Sequence, residues 1–227
     1  MQKEFKKAFE VSIPVMMGYL VLGFAFGLLL VSMSYDWYLA PLMSVFIYAG
    51  ALQFVAIGFF NAKMGFIDIA IASLFINIRQ SFYGLSLLKR FKDTKPFKNY
   101  LIFALTDETY GLLTSIKEDK TLSKKHFYFY LAALNQSYWI FGTLLGSIIG
   151  LNIHFNTAGL EFSLTALFVV LCLEQYKNLR NIYPFLIGGS SALFSLCFVS
   201  SDKMLIASIV ISIISLLVLK SRVINEQ

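Results

Sequence analysis

The chain has 227 residues, 58% of them hydrophobic and only 14% charged, with a mean hydropathy of +0.71. A soluble domain carries about a quarter of charged residues, so the composition excludes an ordinary soluble fold and points to a polytopic membrane protein. The net charge of +6 does not signal nucleic acid, because the lysines cluster in short runs beside apolar blocks, where basic flanks hold loops at an anionic membrane surface.

A bilayer core needs roughly 20 apolar residues per spanning helix. Eight segments fit, at about 11–33, 38–60, 66–88, 99–116, 127–151, 160–175, 183–200 and 203–220. The fold class is therefore all-α: a transmembrane helical bundle forming a single integral membrane domain over residues 1–227. Segment one lacks a small-residue cleavage site and stays apolar past Gly27, so it reads as a retained helix rather than a signal peptide. In segment two, Gly50 and Gln53 share a helix face.

Segment three is oily but contains Asn77, Arg79, Gln80 and Tyr83, with Gly84 following. A charge near the bilayer centre costs roughly 2.5–3.5 kcal/mol on insertion scales. Arg79 cannot lose its proton and lies too far from the Lys89–Lys98 loop to snorkel easily. It therefore needs carboxylates or carbonyls around it, as a carboxylate-binding group or as a structural ion pair. Segment four carries Thr106-Asp107-Glu108-Thr109-Tyr110. Neighbouring helical residues point about 100° apart, so one carboxylate can pair with Arg79 while the other faces a cavity. Two acids this close also suit a proton carrier. The competing reading is that Thr106 and Asp107 cap a broken helix.

Segment five places Asn135, Tyr138, Trp139 and Gly142 on one face. These residues suit either an amphiphilic ligand or ordinary interhelical hydrogen bonding. In segment six, Glu174 and Gln175 read as a surface pair near Lys177 and Arg180. Cys172 and Cys197 fall in apolar segments and read as small packing residues. His126 and His154 lie in polar connections without a partner at ligand spacing, so no metal site and no cofactor is expected.

Lys3, Lys6 and Lys7 assign the N-terminus to the cytoplasm, and Lys220 and Arg222 assign the C-terminus there too. Eight crossings agree with that. The Lys89–Lys98 loop objects, since eight full crossings would place its five basic residues outside. Broken or re-entrant segments three and four would return it to the cytoplasmic side. Segments one and five both read Tyr-x-x-x-Gly-x-x-x-Gly, at Tyr19-Gly23-Gly27 and Tyr138-Gly142-Gly146. The echo suggests two repeat halves, 1–120 and 121–227, although Gly-x-x-x-Gly also recurs as a plain packing motif.

Taken together, GYLVLGFAFG (18–27), AGALQF (49–54), NIRQSFYGLSL (77–87), TDETY (106–110), NQSYWIFGTLLG (135–146) and TALFVVLCLEQ (165–175) resemble the AzlC family of branched-chain amino acid permeases. Two positions depart from the family pattern. Val21 stands where the family commonly has Pro, and Gln80 where it commonly has His. The second departure removes a titratable group. The resemblance implies export of branched-chain or similar apolar amino acids across the bacterial cytoplasmic membrane, with a small hydrophobic AzlD-type subunit. An amino acid needs a carboxylate partner, for which Arg79 is suited, an ammonium partner, for which Asp107 or Glu108 is suited, and an apolar pocket. No phosphate-binding G-x-x-x-x-G-K-[ST] motif occurs, so proton antiport is the expected energy source. The competing classes are a non-transporting membrane scaffold, an uncoupled small-solute channel and an intramembrane hydrolase. The last lacks H-E-x-x-H and G-x-S-x-G motifs.

Overall fold

The computed structural model describes residues 2–116, 122–152, 169, 172–173, 176, 181–199 and 204–218. Among these the regular structure is helical: α1 (Gln2–Ser32), α2 (Leu39–Phe46), α3 (Gly50–Asn61), α4 (Phe66–Leu87), α5 (Lys98–Phe103), α6 (Asp107–Ser115), α7 (Lys124–Asn152), α8 (Tyr183–Phe198) and α9 (Met204–Val218). The Glu174–Gln175 pair, His154, Lys220 and Arg222 lie outside the described residues. Cys172 and Cys197 are free and exposed rather than packed inside.

By length and composition α1 can cross a membrane. Large apolar side chains cover the outside, with Phe66 93%, Phe198 76% and Phe46 72% exposed. Water would penalise such a surface, whereas lipid does not.

Two compact units are present, Met1–Ile57 with Ile76–Asn156 and Gly58–Phe75 with Thr157–Gln227. In the second, α8 packs on α9. The first is built around α1 and α7, and their two glycine motifs are the reason they meet. A Cβ on Gly27 would lie 2.6 Å from the Ser147 amide nitrogen, and one on Gly146 would lie 2.8 Å from the Phe24 Cα and carbonyl carbon. Only glycine allows backbones this close. The contacts advance together, with Gly23 against Trp139 and Thr143, and Gly27 against Thr143 and Ser147. α1 and α7 are therefore parallel and begin at the same end, where the Ser123 amide donates to Glu4 Oε1.

Segment two is not one straight helix. It breaks at Ile47-Tyr48-Ala49, with Tyr48 at φ 43°. Ser44 and Gln53 would be about 13 Å apart along a continuous helix, yet Gln53 Nε2 donates to Ser44 Oγ at 3.2 Å. α2 comes in from the far end of α1 and α3 turns back: Gly50 meets the Trp139 ring and Phe54 packs on Phe26.

Segment four doubles back from the opposite end. α5 climbs along α7, with Phe97 stacked on Phe129 and the Tyr100 hydroxyl donating to Gln136. After the break at 104–106, α6 descends. Asn135 Nδ2 donates to Thr109 Oγ1, and Arg90 donates to the Leu113 carbonyl. Residues 100 and 109 thus reach adjacent positions on α7, which a straight helix forbids. The expected break in segment four is present. Segment three, for which a broken or re-entrant course was the alternative to a full crossing, is one unbroken helix, α4, from Phe66 to Leu87, and the second break lies in segment two. Segments two and four are therefore not single straight helices. The Lys89–Lys98 loop lies at the end where α1 and α7 begin, with Phe91 against Tyr128 and Phe97 against His126.

Candidate functional site

The two breaks meet. The Tyr48 ring packs against Phe103 at 6.5 Å, and Gln136 ties both hairpins to α7, accepting from Tyr100 and donating to the Val45 carbonyl at 3.2 Å. Around this junction the chain places most of the polar side chains singled out in its sequence.

Thr106 stops the α5 direction and starts α6. Its backbone is extended, and its hydroxyl accepts from the Thr109 amide at 3.2 Å as the N-cap. Asp107 and Glu108 follow in the first turn, where the helix dipole favours negative charge. The capping reading of this cluster is therefore correct, and one carboxylate pairs with Arg79. Asp107 Oδ2 pairs with Arg79 Nη2 at 2.8 Å. Glu108 points elsewhere and accepts from the Tyr19 hydroxyl at 2.6 Å. Both members of the ion pair are about one-third exposed, so a ligand approaching the pair need not unfold the site to reach it.

α4 binds α6 through a row spaced at helical repeats. Arg79 takes Asp107, Tyr83 stacks on Tyr110 with centroids 4.3 Å apart, and Ser86 shares a hydrogen bond with the Tyr110 hydroxyl. Asn77 and Gln80 are half-buried on the same helix, but about 200° and 100° around from Arg79. Neither joins this row.

A buried hydroxyl chain continues inward from Glu108. Tyr19 Oη lies 2.7 Å from Thr106 Oγ1, which donates to Thr109 Oγ1 at 3.1 Å, where Asn135 Nδ2 also arrives. Next to it is a second network: Trp139 Nε1 donates to Gln53 Oε1 at 2.8 Å, Gln53 donates to Ser44, and Ser44 donates to Thr143 at 3.0 Å. The Tyr19 ring packs edge-on against Trp139 between the two networks. Gln53, Asn135 and Trp139 are all buried and all engaged in this way. Tyr138 turns aside to share a hydrogen bond with Ser12.

Sequence reasoning missed Tyr19, Tyr48, Ser44, Thr109 and Thr143 as members of the site. Tyr19 was visible only as the first letter of a packing motif. Thr109 lies within the TDETY cluster and was legible there. Tyr48 carries little local signal, since Ile47-Tyr48-Ala49 holds no glycine or proline and Gly50 follows only as the first residue of α3. Among the described residues no group of His, Cys, Asp or Glu could hold a metal ion.

Residues 14–153 match the family model described as AzlC protein. That span holds every residue of the arrangement above except Ser12. A Helicobacter pylori (strain 26695) relative, described as an uncharacterized membrane protein, is 43% identical over 97% of this chain and 96% of its own. The Bacillus subtilis branched-chain amino acid transport protein AzlC is 33% identical over 89% of this chain and 80% of its own. The Escherichia coli inner membrane protein YgaZ is 29% identical over 78% and 76%. No solved structure matches.

Proposed function

This chain belongs to the AzlC family, and from that membership we propose that it is the large subunit of a secondary transporter. It exports branched-chain or similar apolar amino acids across the bacterial cytoplasmic membrane, coupled to proton antiport and working with a small hydrophobic AzlD-type subunit. The observation that carries the reading is the meeting of two broken hairpins beside an ion pair and a second carboxylate. Irregular backbone at membrane depth is tolerated where it lines a cavity, and transporters place their sites at such breaks.

Arg79 keeps further N–H donors beyond those given to Asp107, which suits it to the substrate carboxylate. Glu108, which accepts from the neutral Tyr19 hydroxyl, suits the ammonium group or the coupling proton. Tyr83, Tyr110 and Phe103 supply apolar walls. Gln80 borders the same path about 100° round α4, Asn77 lies on the opposite face of that helix, and Gln53, Asn135 and Trp139 hold the inner wall of the path. The end carrying Lys3, Lys6, Lys7 and the Lys89–Lys98 loop faces the cytoplasm. One basic end then satisfies the charge rule that eight straight crossings violated. Both termini are assigned to that side.

The test is export of labelled leucine from loaded vesicles containing this chain, with and without its small partner. Asp107→Asn and Glu108→Gln would be compared separately. Efflux that needs the partner, follows an imposed pH gradient and collapses with Glu108→Gln is the expected result. No efflux in any combination, from correctly inserted protein, would sink the transport assignment.

A further inference from the structure

Three buried oxygens around the hairpin junction lack hydrogen-bond partners: Asp107 Oδ1, whose carboxylate is already paired with Arg79, and two uncharged ones, the Tyr48 hydroxyl and Asn135 Oδ1. Tyr48 is 3% exposed and Asn135 is fully buried. Buried polar atoms are nearly always paired, and an orphan of this kind marks something the site is built to receive. Leaving one unpaired is costly, and here two uncharged ones sit around one small network. The Tyr48 hydroxyl lies beside those of Tyr19 and Thr106, outside good bonding geometry. Asn135 is anchored by its amide nitrogen to Thr109, which bonds Thr106, so its carbonyl oxygen is fixed in place and left over. Glu108 closes the group through Tyr19. Tyr48 also holds a positive φ of 43°, a conformation that costs energy for a non-glycine residue and is typical of sites that strain serves.

We infer that this junction is the seat of the substrate's primary ammonium group, held by Glu108, the Tyr48 hydroxyl and the Asn135 side-chain oxygen. An ammonium brings three N–H donors and no acceptor. The junction supplies three acceptors: the Glu108 carboxylate, the Tyr48 hydroxyl and Asn135 Oδ1. Arg79, already spoken for by Asp107, stands on the other side of the α6 first turn for the carboxylate. The amino acid therefore bridges the N-terminus of α6. This inference rests on the transport reading and refines it, since it assigns Tyr48 and Asn135 to recognition of the amino group.

The experiment uses the full chain with its small partner in lipid nanodiscs. It measures equilibrium binding of leucine and of 4-methylpentanoate, which is leucine without its amino group. The variants are Tyr48→Phe, which removes only the hydroxyl, and Asn135→Ala. The expected result is that each variant weakens leucine about tenfold, the scale of one hydrogen bond to a charged group, while 4-methylpentanoate binding stays the same. The ratio is read within each variant, so partial misfolding does not imitate it. An unchanged ratio in Tyr48→Phe overturns the inference while leaving transport intact. So does a sodium-dependent thermal stabilisation that Tyr48→Phe abolishes with the ratio unchanged, for the seat then belongs to an alkali cation. If the unsubstituted complex binds no leucine, the inference and the transport reading both fall.

Discussion

Adding one methyl group at Gly146 should separate the two central helices. The Cβ would fall 2.8 Å from the Cα and carbonyl carbon of Phe24, and the clash is with backbone rather than with a side chain that can swing away. Carbon atoms rest at about 3.5–4.0 Å, so α1 and α7 must part by about 1 Å along their crossing. Overpacking of this kind costs about 3 kcal/mol at the upper end of its usual range. Gly27→Ala is nearly as severe, with the Ser147 nitrogen at 2.6 Å, and Gly142→Ala and Gly23→Ala are milder, with nearest backbone atoms at 2.9 and 3.0 Å. Gly18 and Gly84 are helical, and an added Cβ would meet nothing within 4 Å at either. There, alanine should stabilise by about 0.5–1 kcal/mol, by removing backbone freedom from the unfolded chain. Thermal or chemical unfolding of the six purified variants in one detergent would rank them. Because Tyr19 and Trp139 sit beside this crossing, the destabilised variants should also lose leucine efflux. Gly146→Ala as stable as Gly18→Ala would refute the close crossing and the parallel packing drawn from it.

Other perturbations address the site and its placement. Arg79→Gln and Asp107→Asn should each reduce efflux at least tenfold. A double-mutant cycle on stability should give a coupling of only about 1 kcal/mol, because both partners are one-third exposed; a coupling of zero would show that the two groups do not pair. Thr106→Val should destabilise by about 1 kcal/mol through loss of the N-cap, with Thr106→Ser restoring most of it; equal behaviour of the two variants would remove the cap from the account. With Cys172 and Cys197 replaced, cysteines at Lys7 and Lys95 should react with an impermeant thiol reagent from the same side of the membrane, and one at Asp36 from the other. Labelling of the Lys7 and Lys95 positions from opposite sides would restore straight crossings and dismiss the hairpins.

How much of this was written locally in the chain depends on the kind of signal each feature uses. Long apolar blocks are sufficient for a membrane fold, because the cost of solvating them accrues residue by residue. The same is true of helix positions, and α4 and α7 fall within a few residues of segments read from hydropathy alone. The cap at Thr106 was legible too, since a hydroxyl followed by two carboxylates is a local recipe for a helix start. The demand that Arg79 find a partner was legible from its permanent charge, but which carboxylate it takes was not. Asp107 and Glu108 are adjacent, and only the approach of α4 on one side of α6 and of Tyr19 on the other separates their roles. The reversal at Ile47-Tyr48-Ala49 was hidden for a stronger reason. Nothing in that run breaks a helix by itself, and Tyr48 holds its left-handed backbone because Phe103, Trp139 and Gln136 surround the turn from elsewhere in the chain. Chain direction within a membrane segment is a property of what packs against it, so hydropathy locates the segment and tertiary contacts decide whether it crosses or turns back.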